Sequence, residues 1–279
     1  MHMSSSMKVE AFLQIHVGQV TGGEQRMVLD IGSASYGTGK VRSESYRSLA
    51  EAAGLAYTGL DMQPGPNVDI VSKHPLLYDE LERESFDLIV SGQTFEHNPY
   101  FWVTFCEVAR ILKQGGHTMI VAPSAGKVHR FPYDCWRFYP DSWAVLCALS
   151  GLELLEIIFE PSQNLDLVRG AKWGDSAVVA AKPRFATATE AESFYARLET
   201  LTLPYRDVRT DIEVRKINHG PVFDTYSRLV MAQVSIKTHK KAALTSRAAA
   251  EPEAVPKKGT SPDHKKLFPQ LPYRPNRPA

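Results

Sequence analysis

Apolar residues fall in short runs along the first two thirds of the chain, and each run stops at an acid, a glycine or a serine. "MVLDI" (27–31), "AYTGLD" (56–61), "NVDIV" (67–71), "FDLIVSG" (86–92) and "GHTMIVAPS" (116–124) have the length and composition of buried strands, and so do "LELLEIIF" (152–159) and "SAVVAAK" (176–182). Helical spacing separates several of them. "YRSLAEAAG" (46–54) closes on Gly54. Residues 99–112 set Phe101, Phe105, Val108, Ala109 and Leu112 on one face. Residues 140–151 start near Asp141 and stop at Gly151. Such alternation predicts an α/β fold, a mostly parallel sheet covered on both faces. Ligands in such sheets lie beyond the carboxyl ends of the strands. The segments of interest are therefore 30–39, 61–66, 91–97 and 123–137.

Beyond Pro183 the pattern changes. "TEAESFYARLETL" (189–201) carries a Thr189–Glu192 capping box and predicts a helix. The expected domains are 1–183 for the sheet, 184–236 for a helical appendage or a contact within a homodimer, and 237–279 for a disordered tail. That tail holds ten Lys/Arg, three Asp/Glu and seven of the eighteen prolines, so its charge is +7 in a chain of net charge +1. It reads as a solubilising extension, with a loose anionic contact as the alternative. The first residues of "MHMSSSMKVE" read as an extraneous addition ahead of Met7. Neither a membrane span nor a signal peptide is expected. Cys106, Cys135 and Cys147 fit no metal or disulfide spacing, and the reducing cytoplasm is the expected location.

The loop after the first strand, "VLDIGSASYGTGK" (28–40), poses the question of its ligand. A phosphate-binding P-loop ending at Gly39-Lys40 would need glycine at Ala34 and a hydroxyl at Val41. A dinucleotide fingerprint finds only Gly32, Ala34 and Gly37, and Asp30 would repel a pyrophosphate. A cationic ligand fits better. S-adenosylmethionine has an ammonium, a sulfonium and no phosphate. Asp30 and Gly32 suit its amino-acid end, and Asp61 can accept both ribose hydroxyls.

At this point the chain resembles the class I S-adenosylmethionine-dependent methyltransferases, of the methyltransferase type 11 kind, over about residues 26–183. The resemblance rests on "VLDIGS" (28–33), "YTGLDMQPG" (57–65), "FDLIVSGQTFEH" (86–97), "ARILKQGGHTMIVAPS" (109–124) and "DSAVVAAKP" (175–183). It implies a Rossmann-like seven-stranded sheet of order 3-2-1-4-5-7-6 with strand 7 antiparallel. It implies S-adenosylmethionine as cofactor, with Asp30, Gly32 and Ser33 at the methionine end, Asp61 and Met62 at ribose and adenine, and Ser91 and Gln93 beneath the donor. Ala34 and Tyr36 stand where the family commonly has glycine.

The acceptor should approach "HRFPYDCWRFYPDSW" (129–143), which packs one histidine, two arginines, two aspartates and six aromatics into fifteen residues. Tyr133, His129 and Arg137 are candidate acceptor contacts and Asp134 a candidate catalytic group, with Arg130 and Cys135 behind them. The alternative is a structural turn with Phe138 and Trp143 in the core. His97 is the candidate base for a hydroxyl acceptor, because an imidazole titrates near neutrality. Glu96 is read as a cap for the helix starting near Pro99, or as orienting His97. Glu96, His97 and Asp134 make a poor metal signal, and no metal is expected. The expected activity is methyl transfer to a small-molecule or glycan acceptor. Nucleic-acid methylation is not expected, because Ser91-Gly92-Gln93-Thr94 replaces the N/D-P-P-[YF] motif. The alternatives are a donor-binding protein without turnover and an NAD(P)-binding one.

Overall fold

A computed structural model describes residues 3–19, 25–35, 45–159, 173–208, 210 and 220–248. The loop positions 36–44, including Tyr36, Gly37, Gly39 and Lys40, lie outside the described residues, as do tail residues 249–279.

All seven expected strands join one sheet: β1 (Met27–Ile31), β2 (Ala56–Asp61), β3 (Ile70–Val71), β4 (Phe86–Gly92), β5 (Leu112–Pro123), β6 (Glu153–Phe159) and β7 (Asp175–Ala181). Their order is β3-β2-β1-β4-β5-β7-β6, and β7 runs antiparallel to both neighbours. The fold is the Rossmann-like one that the motifs implied. Strand β3 is shorter than the run 67–71, because Asn67 takes a φ of 70° and its carbonyl lies over Gly59. A left-handed residue ends an extended ladder.

Alternation along each strand divides the core in two. Leu29, Ile31, Ile89, Ile120, Val178 and Ala180 face one side. There they meet α3 (Phe101–Ile111), α4 (Pro140–Ser150) and α5 (Ala188–Thr202). Val28, Leu88, Val90, Met119, Ala177 and Val179 face the other, against α1 (Met3–His16) and α2 (Tyr46–Ala52).

Helix α1 corrects the reading of the N-terminus. Ser4, Ser5 and Ser6 are buried; Ser4 Oγ donates to Asp175 at 2.8 Å, and Ser5 Oγ lies 2.7 Å from Tyr46 Oη. The serines ahead of Met7 are integral to the fold. Helix α5 starts two residues earlier than the box Thr189–Glu192 implied. "TATEAE" offers two overlapping boxes, and Thr187 with Glu190 is the one formed: Thr187 Oγ1 accepts from Glu190 N, and Glu190 accepts from Ala186 N. Glu192 instead pairs with Arg83.

The chain divides into compact units at residues 1–214 and 215–279, rather than at 183. Helix α5 belongs to the first because Lys182 anchors it. Lys182 Nζ, fully buried, donates to the Leu112 carbonyl (2.8 Å) and to Tyr195 Oη (2.7 Å). Burial draws its pKa down to about 8 against the nearby Glu84 carboxylate. In the second unit α6 (Pro221–Ala248) runs through residue 237, where the tail was expected to begin. Its sequence holds no proline after Pro221, so no residue in it removes a helical backbone donor. Among the described residues no helix is long and apolar enough to cross a membrane.

Gly92, at the end of β4, tests how tightly α1 and α2 close on this edge. A Cβ there would stand 2.1 Å from Tyr46 Oη and 2.9 Å from Ser5 Oγ. Gly92→Ala should cost about 1–3 kcal/mol in chemical denaturation, the scale of overpacking a tight site. Adding Tyr46→Phe should recover part of that loss; a double variant no better than the single one would contradict the assigned clash.

Candidate active site

The site occupies the carboxyl ends of β1, β2, β4 and β5. Strand β1 ends in a turn at Gly32, whose φ is +80° and whose missing Cβ leaves room for the Thr94 side chain, 2.1 Å from where that carbon would be. No other residue accepts both conditions. The Gly32 N–H donates to the Leu60 carbonyl at 2.8 Å, which holds the turn against β2. Asp61 closes β2, and its carboxylate accepts from Ala34 N (3.0 Å) and Gln63 N (3.3 Å). One accepted bond per oxygen leaves lone pairs for hydroxyl donors. Met62, beside it, is exposed.

Asp30 is buried and accepts from Tyr57 Oη at 2.7 Å, so it backs the turn from beneath rather than lining its surface. Burial pushes its pKa up to about 7, with the Tyr57 hydrogen bond opposing and Asp61 adding to the rise. Ser91 is also buried, and its hydroxyl donates to the Ile31 carbonyl at 2.8 Å, stitching β4 to β1. Gln93, at φ 57°, donates through Nε2 to Asp175 at 3.0 Å. Two polar atoms on this edge are buried without a partner, Ser33 Oγ and Gln93 Oε1. Arg47, whose charge reaches Asp30, is committed to Asp69 at 2.7 Å. Two acids and two unsatisfied polar atoms, with no free cation among these described groups, suit S-adenosylmethionine better than a pyrophosphate. Asp61, Ser33, Gly32 and Gln93 would hold it.

The acceptor side centres on Glu96. A 3-10 turn (Phe95–His97) follows β4, and the Glu96 carbonyl accepts from Cys135 N (2.8 Å) and Trp136 N (3.2 Å), which folds the aromatic segment back over it. The Glu96 carboxyl is fully buried and neither oxygen has a hydrogen-bond partner. It caps no helix: Asn98 holds the entry to α3, accepting from Tyr100 N and donating to Thr104 Oγ1. Burial pushes the Glu96 pKa up to about 8, opposed by its own backbone N–H and by Arg137.

His97 Nε2 lies 3.6 Å from Glu96 Oε1, and His129 Nε2 lies 3.9 Å from the same atom. The two imidazoles meet edge to face at 4.8 Å between centroids. His97 Nδ1 bonds to the Tyr133 carbonyl, which fixes the ring. Burial lowers the His97 pKa below the ordinary imidazole value, so the ring is neutral at pH 7. Asp134 stands behind His129, its Oδ2 at 3.3 Å from Nδ1 and 2.7 Å from the His129 N–H. Its remaining capacity goes to Arg137, at 2.6 and 2.8 Å. Burial alone would raise its pKa, but these bonds outweigh it and the net shift is downward.

The structure thus gathers His97, His129, Asp134 and Arg137 with Glu96, while Tyr133 contributes its carbonyl. Arg130 and Cys135 are exposed beside them. Phe138 and Trp143 are core, stacked at 4.8 Å, with Trp143 Nε1 donating to Ser176 Oγ. Sequence reasoning underrated His129 as a partner of Glu96, because thirty-two residues separate them. The hint lay in the backbone demand of a turn rich in cyclic side chains after β5.

A family model described as a methyltransferase domain matches residues 33–120, about a third of the chain. No curated protein matches the sequence. Among solved structures, the chain is similar to the Burkholderia thailandensis 1,6-didemethyltoxoflavin-N1-methyltransferase with bound 1,6-didemethyltoxoflavin and S-adenosylhomocysteine. Identity is 15%, over 65% of this chain and 79% of that one, with a TM-score of 0.49. It is also similar to phosphoethanolamine N-methyltransferase 2 of Haemonchus contortus, in complex with phosphomonomethylethanolamine and S-adenosylhomocysteine. There identity is 15%, over 63% of this chain and 53% of that one, with a TM-score of 0.44.

A carboxyl that holds its proton more tightly folded than unfolded loses stability as pH rises through the interval between its two pKa values. For Asp30 that interval runs from the ordinary carboxylate range to about 7. Asp30→Asn should therefore raise the melting temperature relative to the parent chain at pH 8, and change it little at pH 4. An equal change at both pH values would contradict the buried, proton-holding carboxyl.

Proposed function

We propose that this chain, whose residues 33–120 are those of a class I S-adenosylmethionine-dependent methyltransferase domain, transfers the donor's methyl group to a hydroxyl of a small-molecule or glycan acceptor. The observation that carries the reading is the meeting, on one sheet edge, of the acid-lined turn at Gly32 and Asp61 with the imidazole pair at Glu96. Thr94 joins them: its side chain rests on Gly32, two residues before Glu96.

S-adenosylmethionine supplies a methyl carbon already activated by the sulfonium. The chain has to align acceptor and donor and take one proton. Asp61 orients the ribose and its carboxylate favours a cationic ligand, with Asp30 adding charge as it ionises near pH 7. His97 is the group suited to the proton. With Nδ1 tied to the Tyr133 carbonyl, Nε2 carries the lone pair, and its lowered pKa keeps that lone pair available through neutral pH. When bound, the donor would supply the methyl group and leave as its thioether, and His97 Nε2 would take the proton of the acceptor hydroxyl. Asp134 acts as a positioning residue through His129 and Arg137. The exposed rings of Phe131, Trp136 and Tyr139 offer faces on which a sugar or aromatic acceptor can stack.

The test is formation of S-adenosylhomocysteine with a panel of sugar and phenol acceptors. His97→Ala should lower kcat on the order of 10²-fold or more while donor affinity holds. An unchanged kcat would return His97 to a structural role, and no donor turnover with any acceptor would favour a binding protein.

A further inference from the structure

We infer that Glu96, His97 and His129 form a binding site for one divalent transition-metal ion. Their ligand atoms all lie within 4.8 Å of one another. Four-coordinate zinc with bonds of about 2.0–2.1 Å sets neighbouring ligand atoms roughly 3.3 Å apart. The Glu96–His97 and Glu96–His129 separations, 3.6 and 3.9 Å, exceed that by a few tenths of an ångström, within reach of small side-chain rotations.

The hydrogen-bond network says why an ion belongs there. On the far side of the rings, His97 Nδ1 is bonded to the Tyr133 carbonyl, and His129 Nδ1 lies 3.3 Å from the Asp134 carboxylate without a formed hydrogen bond, close enough for one to form on a small rotation. The protons those partners call for leave both Nε2 atoms as lone pairs aimed at Glu96. Glu96 itself is fully buried with both oxygens unpartnered. Two imidazole nitrogens and a carboxyl converge with no hydrogen bond made by either carboxyl oxygen, and an ion bound there would displace the carboxyl proton. Buried polar groups are rarely left so, because each costs free energy until something pairs with it. A backbone carbonyl on one ligand histidine and a carboxylate on the other are the outer partners that metal-bound imidazoles use. Two imidazoles and one carboxylate, with positions left open, select zinc or another first-row divalent ion over magnesium or calcium, which prefer oxygen alone.

The inference rests on the side chains and not on the methyl donor, so it is tested without one. The full chain, stripped with chelator, is titrated with zinc by calorimetry and with cobalt(II) by visible absorption. One equivalent should bind at micromolar or lower Kd, with d–d bands of a four- or five-coordinate cobalt site, and magnesium should give no heat at millimolar concentration. Glu96→Gln and His129→Gln should each weaken binding by more than 100-fold, and Asp134→Asn by about 10- to 100-fold. His129→Gln alters a partly exposed side chain and guards against loss of fold at Glu96. His117→Ala, in the separate His16–His117 ring pair, should leave binding unchanged. No stoichiometric binding, or binding indifferent to both Glu96 and His129, would overturn the site. The base reading of His97 concerns the metal-free protein, and its rate test in chelator fails or succeeds independently of this titration.

Discussion

Two missing β-carbons govern the active edge. At Gly32 the turn after β1 is left-handed and the Thr94 side chain lies on the backbone. At Gly92 the phenol of Tyr46 does the same to the end of β4. A methyl group at Gly32 would push Thr94, and with it the segment after β4, off the β1 turn, and one at Gly92 would push that strand end and the Tyr46 and Ser5 side chains apart. That segment carries Glu96 and His97. The spacing between the Asp61 turn and the imidazole cluster is therefore set by backbone approach, not by any one side chain's attraction. Close packing transmits such a constraint because interiors have little room to yield.

Onto that frame the chain loads ionisable groups in poor solvent. Asp30 and Glu96 both sit where burial outweighs their hydrogen bonds, and both hold protons into the neutral range. Asp134, less deeply enclosed and met by Arg137 and a backbone N–H, stays ionised. The contrast assigns different work to three carboxyls. Asp134 organises the aromatic segment, Asp30 backs the turn through Tyr57, and Glu96 faces two imidazoles with neither carboxyl oxygen hydrogen-bonded. Perturbed groups of this kind collect at functional sites, though ion-pair networks produce them too.

Much of the fold was legible in the chain. Each strand ended where an acid, glycine or serine interrupted an apolar run, and alternation such as Val28, Leu29, Asp30, Ile31 decides which core each residue enters. The family motifs fixed the strand order. Other features were not legible, for identifiable reasons. The serines at 4–6 look like solvent-facing residues until Asp175 and Tyr46, far along the chain, supply their partners. The capping box had two equivalent registers, and only the packing of Phe194 and Leu198 chooses between them. The strand-end positions of Gly32 and Asp61 could be read from the apolar runs, but the approach of Glu96 to His129 could not. It depends on how a loop folds across a strand end, and no local spacing encodes that. The reach of α6 past residue 237 was missed because composition marked a tail where backbone propensity still allowed a helix.

The claim on which the account turns is that the crevice between Gly32 and Asp61 takes a sulfonium nucleoside. Calorimetric titration with S-adenosylmethionine and with NAD+, on the parent chain and on Asp61→Ala, tests it most directly. The account predicts one molecule of S-adenosylmethionine bound per chain, no measurable NAD+ binding, and affinity weakened about 5- to 150-fold in the variant, equivalent to 1–3 kcal/mol of charged hydrogen bonding. NAD+ binding in place of the sulfonium compound, or a donor affinity untouched by Asp61→Ala, would contradict it.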